Sequence, residues 1–214
     1  MNKVEKVLNF YVLATSLKDK IRSGWLTWHV SKERLESVAE HIYGVSILAI
    51  AIDSEEDLGI HIDRVVKMLV LHELEEVIIG DITPFDKVSE EEKYNKGMEA
   101  VNTILEGLIK KDEYVSLLKE FNDRKTNDAI FAYSCDKLEA DLMSKIYTEG
   151  NYCNPDSLEN RFIMEDDRIK KLRENGSITL ADYFIDYDIS KYENIDIFKK
   201  IALYAKDNII KKNQ

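Results

Sequence analysis

The segment IDRVVKMLVLHELEEVIIGDITP (residues 62–84) decides the fold class of this chain. Its apolar residues recur with the spacing of one helix face, which predicts a single helix over residues 62–79. Gly80 suits the left-handed position that commonly follows a helix, and Pro84 cannot continue one. A helix this apolar is expected to lie largely buried, so the charged residues within it require an explanation.

Helical patterns also occupy most of the remaining chain and predict an all-α fold. Ser37 and Ser89 are the expected N-caps of helices over residues 37–53 and 89–110. Four more helices are predicted, at residues 4–22, 113–122, 124–148 and 194–211.

The composition of the sequence changes after Gly150. The following residues are polar and contain Asn-Pro and Asn-Gly turn signals, which predict a long excursion with short helices. We therefore expect a core over residues 1–150, with residues 151–214 as an extension that packs on the same domain.

Composition limits the classes of function. The 214 residues include 30 Lys and Arg against 41 Asp and Glu, a net charge of −11, and show no basic stripe that would favour a nucleic acid polymer. No apolar run approaches the roughly 18 residues of a membrane span. The N-terminal segment carries acidic residues and lacks a small-residue cleavage site, so we expect no signal peptide. Because Cys135 and Cys153 form no CxxC pair, we expect a reduced, cytoplasmic protein.

Three polar residues of the apolar segment share one predicted helix face. His72 lies four residues before Glu76, and Glu73 lies three residues before it. Burying an imidazole with two carboxylates is unfavourable unless the cluster binds a cation or is paired. This ligand set suits Mn, Fe, Co or Zn, and less often Mg. The alternative is a hydrogen-bonded core histidine beside a solvent-exposed stripe of the two glutamates.

Two further candidates lie on separate predicted helices. His41 is part of an apolar helix face and can point inward, although taken alone it also suits a core histidine. Asp136 is flanked by apolar residues and, taken alone, also suits a pairing with Lys137 or Arg124. The order of these candidates around the apolar segment favours a metal site.

The motifs resemble those of the HD-domain metal-dependent phosphohydrolases, in which a histidine is followed by a His-Asp pair and a later aspartate. They are most similar to the branch of HD-domain 5′-deoxynucleotidases. The matching stretches are Arg22-Ser-Gly-Trp25, Glu36-Ser-Val-Ala-Glu-His41, His72-Glu-Leu-Glu-Glu76-Val-Ile-Ile-Gly80-Asp81-Ile and Cys-Asp136-Lys-Leu. The resemblance covers about residues 5–150 and implies an HD-domain helical bundle with a C-terminal extension.

The resemblance also implies a role for each of eight residues. One divalent ion (Mn, Co, Fe, Zn or Mg) would be held by His41, His72, Glu73 and Asp136. The catalytic acids would be Glu76 and Asp81, and the substrate-binding residues would be Arg22 for the phosphate and Trp25 for the sugar. Ordinary packing is the alternative for Trp25. The implied substrate is a deoxynucleoside 5′-monophosphate, and the implied assembly is a homodimer.

Glu73 departs from the family pattern, which has aspartate at this position. The extra methylene extends the carboxylate by roughly 1.3–1.5 Å, and a misplacement of ~1 Å can lower a rate ~100-fold. Two alternatives stay open, of which the departure at Glu73 permits the first. One is a catalytically weak or silent module that binds a nucleotide or a metal. The other is an HD phosphohydrolase acting on a cyclic dinucleotide, a nucleoside triphosphate or a guanosine alarmone. A zinc protease is excluded, because the segment from His72 to Glu76 lacks the second histidine of H-E-x-x-H.

Overall fold

The structure is a computed structural model that describes residues 2–192 and 195–210, and within them the chain forms twelve α-helices. In chain order these are α1 (Lys3–Thr15), α2 (Ser23–Thr27), α3 (Val38–Glu55), α4 (Ile62–Leu71), α5 (Glu76–Ile79), α6 (Glu90–Ile104), α7 (Lys111–Asp123), α8 (Asn127–Glu149), α9 (Arg161–Met164), α10 (Asp167–Glu174), α11 (Leu180–Asp188) and α12 (Asp196–Asp207). The predicted all-α class is confirmed. Among the described residues, no helix combines the length and apolarity needed to cross a bilayer. The cytoplasmic location stays a prediction.

The helix predicted over residues 62–79 is interrupted. Helix α4 ends at Leu71 and α5 begins at Glu76, so the prediction of one continuous helix is wrong at this point. The amides of Leu74 and Glu76 donate to carbonyls three residues earlier, which is the tighter winding of a 3₁₀ turn. After α5, Gly80 has the positive φ that its position predicts (78°), but its ψ of 167° is extended rather than left-handed helical.

Two predicted helix caps are confirmed, whereas two helices end earlier than predicted. Ser37 and Ser89 are N-caps, as predicted, and each accepts a hydrogen bond from the amide three residues later. By contrast, the helix predicted over residues 4–22 ends at Thr15, and the helix predicted over 89–110 ends at Ile104. The short helices predicted after Gly150 are present as α9, α10 and α11. The last predicted helix, over 194–211, is found as α12, and its two end residues lie outside the described ones.

The described chain divides into two compact units. The first comprises residues up to Ser23 together with Glu36–Tyr133. In this unit α3 packs along α4, and α6 packs against α5 and α7. The core between these last helices consists of seven buried apolar residues, Leu74, Met98, Val101, Ile104, Leu105, Val115 and Leu118. Phe10 and Leu13 of α1 cover this core from one side.

The second unit comprises Gly24–Leu35 and the residues from Ser134 onward. Aromatic packing organises it. The Trp25 ring meets the edge of Tyr147 at a centroid distance of 5.0 Å and stacks on Phe184 at 5.2 Å. The boundary between the units falls inside α8 rather than at residue 150, and the predicted division into a core and an extension stays a prediction.

The second unit also buries a carboxyl group that the sequence did not single out. Asp141, on α8, is completely buried and accepts a hydrogen bond of 2.8 Å from the Tyr192 hydroxyl. Its other oxygen, Oδ1, has no hydrogen-bond partner among the described residues. Burial, and secondarily the nearby Asp188, raise the pKa of Asp141 well above its ordinary value.

We predict that Asp141→Asn stabilises the protein at neutral and alkaline pH. Because the folded state holds this proton more tightly, wild-type stability falls as pH rises from about 4 through the raised pKa. Asparagine stays neutral and keeps an acceptor for Tyr192. Urea unfolding at pH 8 should show a gain of about 1 kcal/mol or more, and a smaller gain at pH 5. The exposed Asp123→Asn is the control. An equal difference at both pH values would contradict the prediction.

Candidate metal centre

His41 is fixed by the first half of α3. The helix begins with a capping box, in which the Glu40 amide donates to Ser37 and the Glu40 carboxylate accepts from the Ser37 amide at 2.9 Å. One turn later His41 lies completely buried. A well-defined helix start therefore sets the direction of this imidazole.

His72 lies at the end of α4, where the backbone tightens. Its Nδ1 is 2.6 Å from the carbonyl oxygen of Leu69. A carbonyl oxygen only accepts hydrogen bonds, so Nδ1 is the nitrogen that carries the proton in this contact. In the neutral ring Nε2 is then the basic nitrogen, which is the form that binds a metal ion.

The two imidazoles and the Glu73 carboxylate converge within the first unit. The ring centroids of His41 and His72 are 5.6 Å apart. Glu73 Oε1 lies 3.7 Å from Nε2 of His41 and 3.6 Å from Nε2 of His72. One candidate ligand atom from each of the three side chains lies within 4.8 Å of the other two, and all three residues are buried. This donor set fits a borderline transition-metal ion.

Arg22 is brought beside this cluster by a short backbone contact. Its amide donates to the Glu36 carbonyl at 3.0 Å, and the Val38 amide donates to the Lys20 carbonyl at 2.7 Å. These two bonds form an antiparallel bridge between Ile21 and Ser37 at the start of α3. The bridge sets the position of Arg22 without a long strand.

The Arg22 guanidinium faces three carboxylates. Its Nη1 lies 3.1 Å from Glu73 Oε1, 3.4 Å from Asp81 Oδ1 and 3.8 Å from Glu76 Oε1. Asp81 also accepts a hydrogen bond of 2.7 Å from the Ser23 amide. The predicted phosphate-binding arginine and the two predicted catalytic acids therefore lie together, next to the candidate metal ligands.

Glu76 is the most buried of these acids, with 1% of its surface exposed, and its Oε2 has no hydrogen-bond partner among the described residues. Burial, followed by the charges of Glu73 and Asp81, raises the pKa of Glu76 well above its ordinary value. Glu75 points to the other side, against Gly97 of α6, and is half-buried. Burial raises its pKa to about 7.

The remaining site candidates belong to the second unit. Trp25 is buried between its two aromatic neighbours, which is the packing alternative weighed above, and its substrate-binding role stays a prediction. Asp136 is buried on α8 with Lys137 Nζ 2.9 Å from its carboxylate, and its ligand role also stays a prediction.

Sequence reasoning gave no role to Glu36, although it lies inside one of the quoted motifs. It is buried, and its carbonyl holds the Arg22 amide. Its position in the sequence, directly before a capping serine and an apolar helix, is the signal that could have drawn attention to it. An acid is ordinarily expected to be exposed, so its burial was not predicted.

Comparison with known proteins identifies the family of this chain. A family described as HD domain matches residues 14–174, well over half of the chain. The chain belongs to the HD-domain family.

Two relatives with names are similar over most of this chain. The chain is 34% identical over 167 residues to a Dictyostelium discoideum protein named 5′-deoxynucleotidase HDDC2, covering 74% of this chain and 84% of that protein. It is 32% identical over 146 residues to the human protein of the same name, covering 67% of this chain and 69% of that protein. The predicted resemblance to HD-domain phosphohydrolases is confirmed.

Solved structures confirm the HD-domain helical fold. A Magnetospirillum magnetotacticum protein described as a predicted metal-dependent phosphohydrolase matches with a TM-score of 0.64 at 24% identity, covering 96% of this chain and 92% of that chain. A conserved hypothetical protein from Pyrococcus furiosus matches with a TM-score of 0.63 at 21% identity, covering 94% and 99%.

We predict that Gly80→Ala destabilises the protein and displaces Asp81. A Cβ at Gly80 would meet no atom within 4 Å, but the backbone has a φ of 78° and a ψ of 167°, a region that only glycine adopts readily. Urea unfolding should show a loss of about 1–3 kcal/mol.

Gly24→Ala is the matched control, because its added Cβ also meets no atom within 4 Å and Gly24 is not among the glycines with positive φ. We expect it to be neutral or slightly stabilising within α2. Equal stability of the two variants would show that backbone strain at Gly80 is unimportant.

Proposed function

We propose that this protein is a metal-dependent phosphohydrolase that releases phosphate from deoxynucleoside 5′-monophosphates. The observation that carries the proposal is the convergence of two buried imidazoles and Glu73 beside the Arg22 guanidinium. The relatives named 5′-deoxynucleotidase support the choice of substrate.

We propose that the ion is held by His41, His72 and Glu73, with Asp136 as the fourth ligand that the family pattern implies. Mn, Co, Fe and Zn suit mixed imidazole and carboxylate ligands, and Mg suits them less well. When bound, a divalent ion lowers the pKa of a coordinated water and offsets the charge that develops on the phosphoryl group.

Arg22 is the proposed phosphate-binding residue. A guanidinium offers several N–H donors in one plane, which match the oxygens of a phosphate in charge-assisted hydrogen bonds. Asp81 holds this side chain in place from one side, and the Ser23 amide fixes Asp81. The Arg22 side chain is thus held in position before the substrate binds.

Glu76 is the proposed proton carrier. Its Oε1 faces Arg22, while Oε2 has no hydrogen-bond partner among the described residues. We propose that Oε2 takes a proton from the attacking water as the new phosphorus–oxygen bond forms. Glu76 then gives the proton to the 5′-oxygen as the old phosphorus–oxygen bond breaks. The products are the nucleoside and inorganic phosphate, and the carboxylate is restored.

Trp25 is proposed to shape the sugar pocket. Because it packs between Tyr147 and Phe184, its ring is held rigidly and would discriminate by shape rather than by movement.

The longer side chain of Glu73 keeps one other function open, a module that binds nucleotide and metal with little or no turnover.

We predict phosphate release from deoxynucleoside 5′-monophosphates in the presence of Mn or Co. The five common deoxynucleotides, each with Mn, Co and Mg, form the test panel, and released phosphate is measured. Glu76→Gln should lower the rate by about 100-fold or more while metal binding, measured by calorimetry, persists. Asp63→Asn, on an exposed turn of α4, is the control.

Absence of phosphate release from a folded, metal-loaded sample would remove this proposal. Ligand-induced thermal stabilisation without turnover would favour the silent binding module instead.

We also propose that the protein is a homodimer, as its family resemblance implies. Helix α1 supports this proposal because it has two apolar faces, of which only one packs on the core. The other face consists of five side chains that are each more than half exposed, Val4, Val7, Leu8, Tyr11 and Val12. An apolar stripe of this kind is typical of an interaction surface.

If α1 forms the dimer contact, Leu8→Glu should shift the protein from dimer to monomer. Burying a carboxylate in an apolar interface is strongly unfavourable. Light scattering during gel filtration measures the mass. Asn9→Glu is the control, since it adds the same charge to the same helix outside the stripe. A wild-type monomer at micromolar concentrations would contradict the proposal.

A further inference from the structure

Arg22 contacts the candidate metal ligand Glu73 more closely than it contacts either catalytic acid. The oxygen that faces Arg22 at 3.1 Å is Oε1, the same atom that lies 3.6–3.7 Å from Nε2 of both histidines. One carboxylate oxygen is therefore shared between the guanidinium and the candidate metal position.

We propose that Arg22 is a built-in cation that competes with the metal for Glu73, so that metal loading releases Arg22 toward the phosphate of the substrate. This inference rests on the proposed function of the site. It assigns to Arg22 a regulatory role in the metal-free protein, in addition to phosphate binding.

Charge balance provides the first argument. The side chains of Glu73, Glu76 and Asp81 are 11%, 1% and 9% exposed, and all three face the same guanidinium nitrogen. Three carboxylates this close and this poorly solvated repel one another unless a positive charge lies among them. Arginine remains protonated in proteins, so it supplies that charge at any working pH.

Repulsion provides the second argument. A divalent ion bound by Nε2 of His41 and His72 would lie near Glu73 Oε1 and hence near Arg22. Two cations that share one carboxylate oxygen oppose each other in a site largely shielded from water. Arg22 therefore weakens metal binding while it contacts Glu73, and metal binding weakens the Arg22–Glu73 contact.

The identity of residue 73 provides the third argument. Oε1 of a glutamate reaches roughly 1.3–1.5 Å further than the corresponding atom of an aspartate. We therefore expect an aspartate at this position to bring one oxygen less close to both the imidazoles and the guanidinium than Glu73 Oε1 lies.

The test is calorimetric titration of the full-length, chelator-treated protein with Mn²⁺ or Co²⁺ alone. Arg22→Gln should tighten metal binding by about tenfold, because the competing charge is removed. Arg161→Gln, in an exposed pair with Glu165, removes the same charge elsewhere and should leave the affinity unchanged. In a Glu73→Asp background, Arg22→Gln should change the affinity by less than about threefold.

Thermal unfolding of each metal-free variant checks that it is folded. If Arg22→Gln does not fold, Arg22→Met keeps the apolar stem and should show the same tightening. Metal binding that is unchanged or weaker in the arginine variants would overturn the inference and leave the proposed function standing. Failure of the wild type to bind either metal would overturn both. Metal binding with the expected tightening but no phosphate release would support the inference and remove the proposed function.

Discussion

The first unit depends on a positive charge beside carboxylates that the fold shields from water. Glu73 and Glu76 are buried and Asp81 is half-buried, in a short segment that also supplies Leu74 to the apolar core. Arg22 contacts all three carboxylates with a positive charge, and it reaches them from a distant part of the chain. The site is thus assembled around an electrostatic requirement.

The break between α4 and α5 lies in the same segment as these carboxylates. A regular helix through residues 72–75 would keep the side chains on one cylinder, with the spacing fixed by the helix. The tighter turns at Leu74 and Glu76 change the direction of these side chains within four residues. Interruptions of this kind recur at functional positions. Here the interruption separates Glu75, which packs on α6, from Glu73 and Glu76, which face Arg22.

Backbone groups then determine the chemistry of the side chains. The Leu69 carbonyl selects the tautomer of His72, and the Ser23 amide holds Asp81 as an acceptor. Neither contact depends on the identity of the side chain at Leu69 or Ser23. These contacts are made by backbone groups, so the pattern of side chains in the sequence does not reveal them. They nevertheless decide which nitrogen can bind a metal and which carboxylate stays fixed.

The sequence by itself determined the helical class, the caps at Ser37 and Ser89, and the HD-type order of histidines and acids, because these features are local in the chain or follow a fixed spacing. Only the tertiary structure decided the partners of Arg22, the burial of Trp25 and the pairing of Asp141 with Tyr192. Arg22 and Glu73 are 51 residues apart, as are Asp141 and Tyr192. Contacts at that separation depend on how the helices pack, and hydrophobic periodicity specifies which face is buried but not which charged residue it will meet.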